Sequence, residues 1–225
     1  MIRSCAAVLC VVALAVTALD AQQTIAGRLS GRVSPEIATL VQELGSAAAH
    51  RGLPVDPLIQ KAIEGSAKAI PSDRVGTAVR LVVDQLDTAA AALRNAGLAT
   101  PLDTVEIAAG AFAITAGLRG RDITEIARTG RPTAEVIVGL RVAGTLAAIG
   151  VPPSETVTLV SASLRGRRGA GDLLALPGQV QTEMARGATP AQAAAGLARA
   201  AAAQARHGPP PDRGPPPHPP TPPHP

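Results

Sequence analysis

From Ser34 to about Arg206, apolar residues recur three and four apart, the spacing that lines one face of an α-helix. Ser34-Pro35 opens the first run, with Ile37, Leu40, Val41, Leu44, Ala47 and Ala48 on one stripe. Asp56-Pro57 opens a second, carrying Leu58, Ile59, Ala62 and Ile63. Ser72 is placed as the cap of the third and longest, whose stripe Val75, Ala78, Val79, Val82, Leu86, Ala89, Ala90 and Leu93 stops before Gly97. Thr100-Pro101 begins a fourth, with Val105, Ala108, Ala109, Phe112, Ala113 and Ala116 facing one way and Gly117 ending it. Asp122 with Glu125 reads as a capping box for a short helix that stops near Gly130, and Thr133 starts another that runs to Gly150. The physics is common to all of them. A side-chain oxygen accepts an orphan N–H, proline suits the first turn, and glycine takes the left-handed turn at the end. No stretch alternates with period two, so no strand is expected. The pattern predicts an all-α fold, a stack of about seven to nine short amphipathic helices over residues 34–207.

Weak self-similarity runs through this region. Arg51-Gly52-Leu53-Pro54, Asn95-Ala96-Gly97-Leu98 and Ile149-Gly150-Val151-Pro152 mark comparable turns. Leu118-Arg119-Gly120-Arg121 returns as Leu164-Arg165-Gly166-Arg167, and the pattern of Ala127-Arg128, Thr133-Ala134 and Gly139-Leu140 resembles that of Ala185-Arg186, Thr189-Pro190 and Gly196-Leu197. Two readings stand open: degenerate repeats of two or three helices, each burying its apolar face on the next, or chance likeness within an alanine-rich helical chain.

The flanks follow different rules. Arg3 supplies a small positive region before an apolar run from Cys5 to Leu19, too short for a bilayer span of ~20 residues but suited to a secretory signal peptide over residues 1–21. Cleavage is expected after Ala18 or after Ala21. That places the protein outside the cytoplasm, periplasmic or extracellular, with no transmembrane helix after cleavage. Residues 22–33 read as a flexible lead-in. Beyond Gly208, eleven of the last eighteen residues are proline, which cannot donate to helix or sheet, so residues 208–225 are expected to be a disordered, proline-rich spacer.

Composition then narrows the chemistry. Alanine supplies 46 of 225 residues, Trp and Tyr are absent, and Phe112 is the single aromatic, so no platform exists for stacking bases or sugars. Both cysteines, Cys5 and Cys10, leave with the signal peptide, which removes disulfides, thiolates and cysteine-held metals from the mature chain. His50 has no other core histidine with which to form a triad or a zinc site. His207, His218 and His224 are irregularly spaced in or beside the tail. Glu64, Glu106, Glu125 and Glu135 each sit where a helix edge or first turn accounts for them. The glycines of Arg165-Gly166-Arg167-Arg168-Gly169-Ala170-Gly171 lack the preceding strand and following Lys-Ser or Lys-Thr of a phosphate loop. No catalytic residue, metal site or cofactor is expected, and the chain is read as non-enzymatic.

Charge is uneven. Residues 22–163 hold thirteen basic and thirteen acidic groups, whereas residues 164–206 hold six arginines against Asp172 and Glu183. Arg165, Arg167, Arg168, Arg186 and Arg199 are therefore the candidate anion-binding residues. The expected role is an interaction or scaffold module of the cell envelope, with an envelope protein or anionic polymer as partner. The alternatives are a weak electrostatic grip on anionic polymer or lipid through the Arg165–Arg206 region, and an enzyme using a carboxylate pair that spacing does not reveal. Nucleic acid is not an expected partner. In composition alone the chain resembles alanine- and arginine-rich exported proteins of high-GC bacteria, which implies no activity.

Overall fold

The computed structural model describes residues 25–166 and 169–207. After a helical turn at residues 25–29 come α1 (Pro35–His50), α2 (Asp56–Ala67), α3 (Ser72–Asn95), α4 (Thr104–Thr115), α5 (Gly120–Ala127), α6 (Thr133–Ala148), α7 (Pro153–Arg165), α8 (Ala170–Ala185) and α9 (Pro190–His207). The fold is all-α, and no strand occurs among the described residues. The signal peptide and the proline-rich tail expected from the sequence lie outside the described residues.

Helices two apart in the chain pack side by side, which sorts them into two rows. One row runs α1, α3, α5, α7, α9, and the other runs α4, α6, α8. Sequential helices close the gap between rows, most extensively α2 on α3, α3 on α4 and α6 on α7. Two apolar clusters result. Ile37, Val41, Leu58, Ile59, Val79 and Leu86 belong to the first, and Leu93, Ile126, Leu140, Leu146, Leu159 and Leu173 to the second. The α3 helix, 24 residues and so about 36 Å long, contributes to both and ties them together.

Several helix starts differ from the pattern. Ser34 does cap α1, accepting from the Ile37 N–H at 3.4 Å. The fourth helix, however, begins at Thr104 rather than at Thr100-Pro101. Asp103 caps it, accepting from the Val105 N–H at 2.9 Å, while Glu106 reaches back to the Asp103 N–H at 3.0 Å. A carboxylate with a glutamate three residues on satisfies two orphan donors, which threonine followed by aspartate here does not. Ser72 is the first residue of α3, with Pro71 at the cap position, and its hydroxyl lies 3.3 Å from that of Ser34. In α5 it is Asp122 that accepts from the Arg119 N–H, at 2.8 Å, so Glu125 has no capping role.

Burial also departs from the stripes. Val82 is only half-buried, while Val83 beside it is 7% exposed, because α3 turns its Val79–Val83–Leu86 edge inward. Phe112 and Val105, assigned to the inner stripe of α4, are exposed; Ala109 and Ala113 of that stripe are buried, joined by Ile107, Gly110 and Ala111. The lead-in is not loose where it is described: Ile25 and Leu29 are buried in the first cluster. The Leu-Arg-Gly match also divides. Leu118-Arg119-Gly120 opens α5, whereas Leu164-Arg165-Gly166 closes α7, so these segments are not equivalent positions of a repeat.

Helix ends keep the expected chemistry. At Gly97 (φ +88°) the Leu98 N–H bonds back to the Leu93 carbonyl at 3.3 Å, closing a left-handed turn after α3. The same turn after α2 falls on Ala69, at φ +52°, with the Ile70 N–H on the Gly65 carbonyl at 3.0 Å. An L-residue here is strained by ~1 kcal/mol. Ala69→Gly should therefore stabilise the protein by up to ~1 kcal/mol after the cost of a looser unfolded chain, read as a rise in the thermal midpoint.

Candidate anion-binding groove

The short helix α5 lies between α3 and α7 and forms the floor of a groove of about 890 Å³. Two contacts hold α5 low. Gly120 lies so close to α3 that a Cβ there would come 3.2 Å from the Thr88 methyl, and Thr124 Oγ1 donates to the Ala92 carbonyl at 3.0 Å. Its apolar edge, Ile123, Ile126 and Ala127, is buried, which turns Arg121, Glu125 and Arg128 outward. Small residues, Ala91, Ala92, Gly120 and Thr124, line the bottom, and Arg121, Arg128 and Arg165 stand around it. Glu125 is the single carboxylate on this lining.

The groove continues in two directions from Glu125. Between α7 and α9 it runs past Ser161 and Ala198 to Arg199, and towards the α4–α5 turn it passes Arg119 and Asp122. Five arginines thus face two carboxylates along its whole length. Arg128 is steadied by donating to the Asn95 carbonyl at 2.9 Å, and Arg121 lies 3.6 Å from Asp122. Arg165, Arg199 and Glu125 form no ion pair with any described residue. The Ser161 hydroxyl, buried in the wall, has no hydrogen-bond partner among the described residues.

No family model, curated protein or solved structure matches this chain.

The structure rearranges the expected anion site. Arg165 and Arg199 do come together, on one wall of the groove. Arg186 does not join them. It caps the end of α8 and pairs with Glu183 at 2.7 Å, whereas the chain leaves Arg165 for the start of that helix, about 24 Å away along its axis. Arg167 and Arg168 lie outside the described residues. The residues missed were Arg119, Arg121 and Arg128. Their signal was present: Arg121 and Arg128 are seven apart, two turns of helix, on the edge opposite Ile123 and Ile126. It was hidden because residues 22–163 are neutral in sum.

The other carboxylates have structural work. Glu64 bonds Lys61 at 2.9 Å and Lys68 at 2.5 Å, and the hydrogen bond from Lys68, followed by that from Lys61, brings its pKa down to about 2. Glu135, in the first turn of α6, pairs with Arg131 at 2.6 Å. His50 is exposed in the last turn of α1. Among the described residues, no three His, Cys, Asp or Glu side chains gather as a metal site, and no helix is long and apolar enough to cross a membrane.

Proposed function

We propose that this chain is an exported, non-enzymatic interaction module of the cell envelope, and that the groove over α5 is its contact surface. The observation that carries the reading is the lining itself: three guanidinium groups around one carboxylate, above a floor of small side chains. Arg128 and Arg165 form no ion pair with a described residue and keep donors for a ligand, and a planar guanidinium suits carboxylates or phosphates. The two-row stack supports a scaffold role, since successive helices bury their apolar faces on one another and leave the groove lining open to a partner. The broader alternative, a diffuse basic patch from Arg165 to Arg206, is less well supported because Glu183 already engages Arg186.

A photo-crosslinking side chain at Ala91, exposed on the groove lining, tests the reading when compared with one at Leu81, exposed outside the groove. In the envelope of the producing cells, adducts should form from position 91, and replacing Arg121, Arg128 and Arg165 by Gln should abolish them. Equal adducts from both positions, or adducts indifferent to the arginines, would remove the groove from its role.

A further inference from the structure

The groove has a direction and a spacing. In the row α3, α5, α7, α9, neighbouring helices pack on one another, and packed helices stand about 8–10 Å apart. Each helix after α3 brings guanidinium to the groove: Arg121 and then Arg128 at the end of α5, Arg165 at the end of α7, and Arg199 on α9, with Glu125 of α5 the one carboxylate on both stretches. Arg128 and Arg165 line one stretch, and Arg165 and Arg199 line the next. The positive groups therefore follow one another at the helix spacing. An extended polypeptide advances ~3.3–3.6 Å per residue, so about three residues match one step between helices.

We infer that the groove takes an extended acidic peptide with a carboxylate at about every third position. The inference rests on the groove being the contact surface, and it names the chemistry of the partner. Three features favour a peptide. The lining contains no aromatic residue, so bases and sugar rings have nothing to stack on. The floor lies below flanking helices, where a strand of chain reaches and a flat bilayer does not. Asn95, exposed on the rim, carries a side-chain amide with both donor and acceptor, the pair that a peptide backbone satisfies. Alternate residues of an extended chain point to opposite faces, so uncharged positions between the carboxylates can sit over Ala91 and Ala92 or face solvent.

Fluorescence anisotropy on the mature chain tests this with two labelled peptides of identical composition. One repeats the triplet Glu-Ser-Ser, and the other has its glutamates contiguous. At low salt the spaced peptide should bind up to about fivefold tighter, the weight of one extra exposed ion pair. Arg128→Gln and Arg165→Gln should each weaken it by a similar factor, and Arg186→Gln should leave it unchanged. Binding should fade as the screening length falls to ~8 Å at physiological ionic strength. Phosphatidylglycerol vesicles and polygalacturonate serve as competing probes. Equal affinity for the two peptides, or preference for either competitor, overturns the peptide assignment, and the groove itself survives if Arg128→Gln and Arg165→Gln still weaken what binds. If those variants alter binding of no probe, the groove fails with it.

Discussion

Val79→Asp should destabilise the protein by ~3–5 kcal/mol at neutral pH, whereas Val82→Asp, one turn further along the same helix, should be tolerated. Val79 is fully buried in the cluster that α1, α2 and α3 share, with no cationic partner among the residues of that cluster. A carboxylate there exchanges water for hydrocarbon, and an uncompensated buried charge costs ~3–5 kcal/mol. Domains of this kind have only ~5–15 kcal/mol in hand. The new carboxyl escapes part of this cost by holding its proton, so the variant should be least damaged in acid. Val82 is half-buried, and its side chain can turn an added carboxylate towards water, which limits the loss to ~1 kcal/mol. Urea unfolding of both variants at neutral and acidic pH reads the difference. Equal losses at neutral pH would mean that α3 turns Val79 and Val82 inward alike.

The second large effect is expected at a helix crossing. A Cβ placed on Gly110 of α4 would lie 3.0 Å from the Ala89 Cβ of α3 and 3.7 Å from a methyl of Ile123 on α5. Ala89 and Ile123 are fully buried, and alanine has no rotamer with which to give way. Gly110→Ala gains about 1 kcal/mol of helix propensity against this contact and should come out near neutral. Gly110→Val forces two further methyl groups into the same joint and should cost ~2–3 kcal/mol. Denaturant midpoints of the two variants measure the contrast. Gly110→Val should also weaken anion binding, because the displaced neighbour Ile123 belongs to the helix that carries Arg121 and Arg128. An unchanged midpoint for Gly110→Val would show the α3–α4 crossing to be looser than its distances imply.

The helical class and several of the helix ends were legible because the forces that set them are local. A capping oxygen at Ser34, the left-handed glycine after α3 and apolar residues three and four apart act within one or two turns, so the letters alone carry them. The misplaced start of α4 is an error of the same local kind, since Asp103 and Glu106 offered a better box than Thr100. Facing is a different matter. Whether Val82 or Val83 is buried, and why Phe112 lies outside, depends on where α1 crosses α3 and where α6 crosses α4, which no window along the chain contains. Glycines inside helices were silent for the same reason: Gly110 and Gly120 look like weak points of a helix until a partner helix is seen against them. The groove shows the limit most clearly. Charge summed along the chain put the basic surface in residues 164–206, yet charge acts through space. Packing α5 between α3 and α7 joins Arg121 and Arg128 to Arg165, while the length of α8 takes Arg186 away.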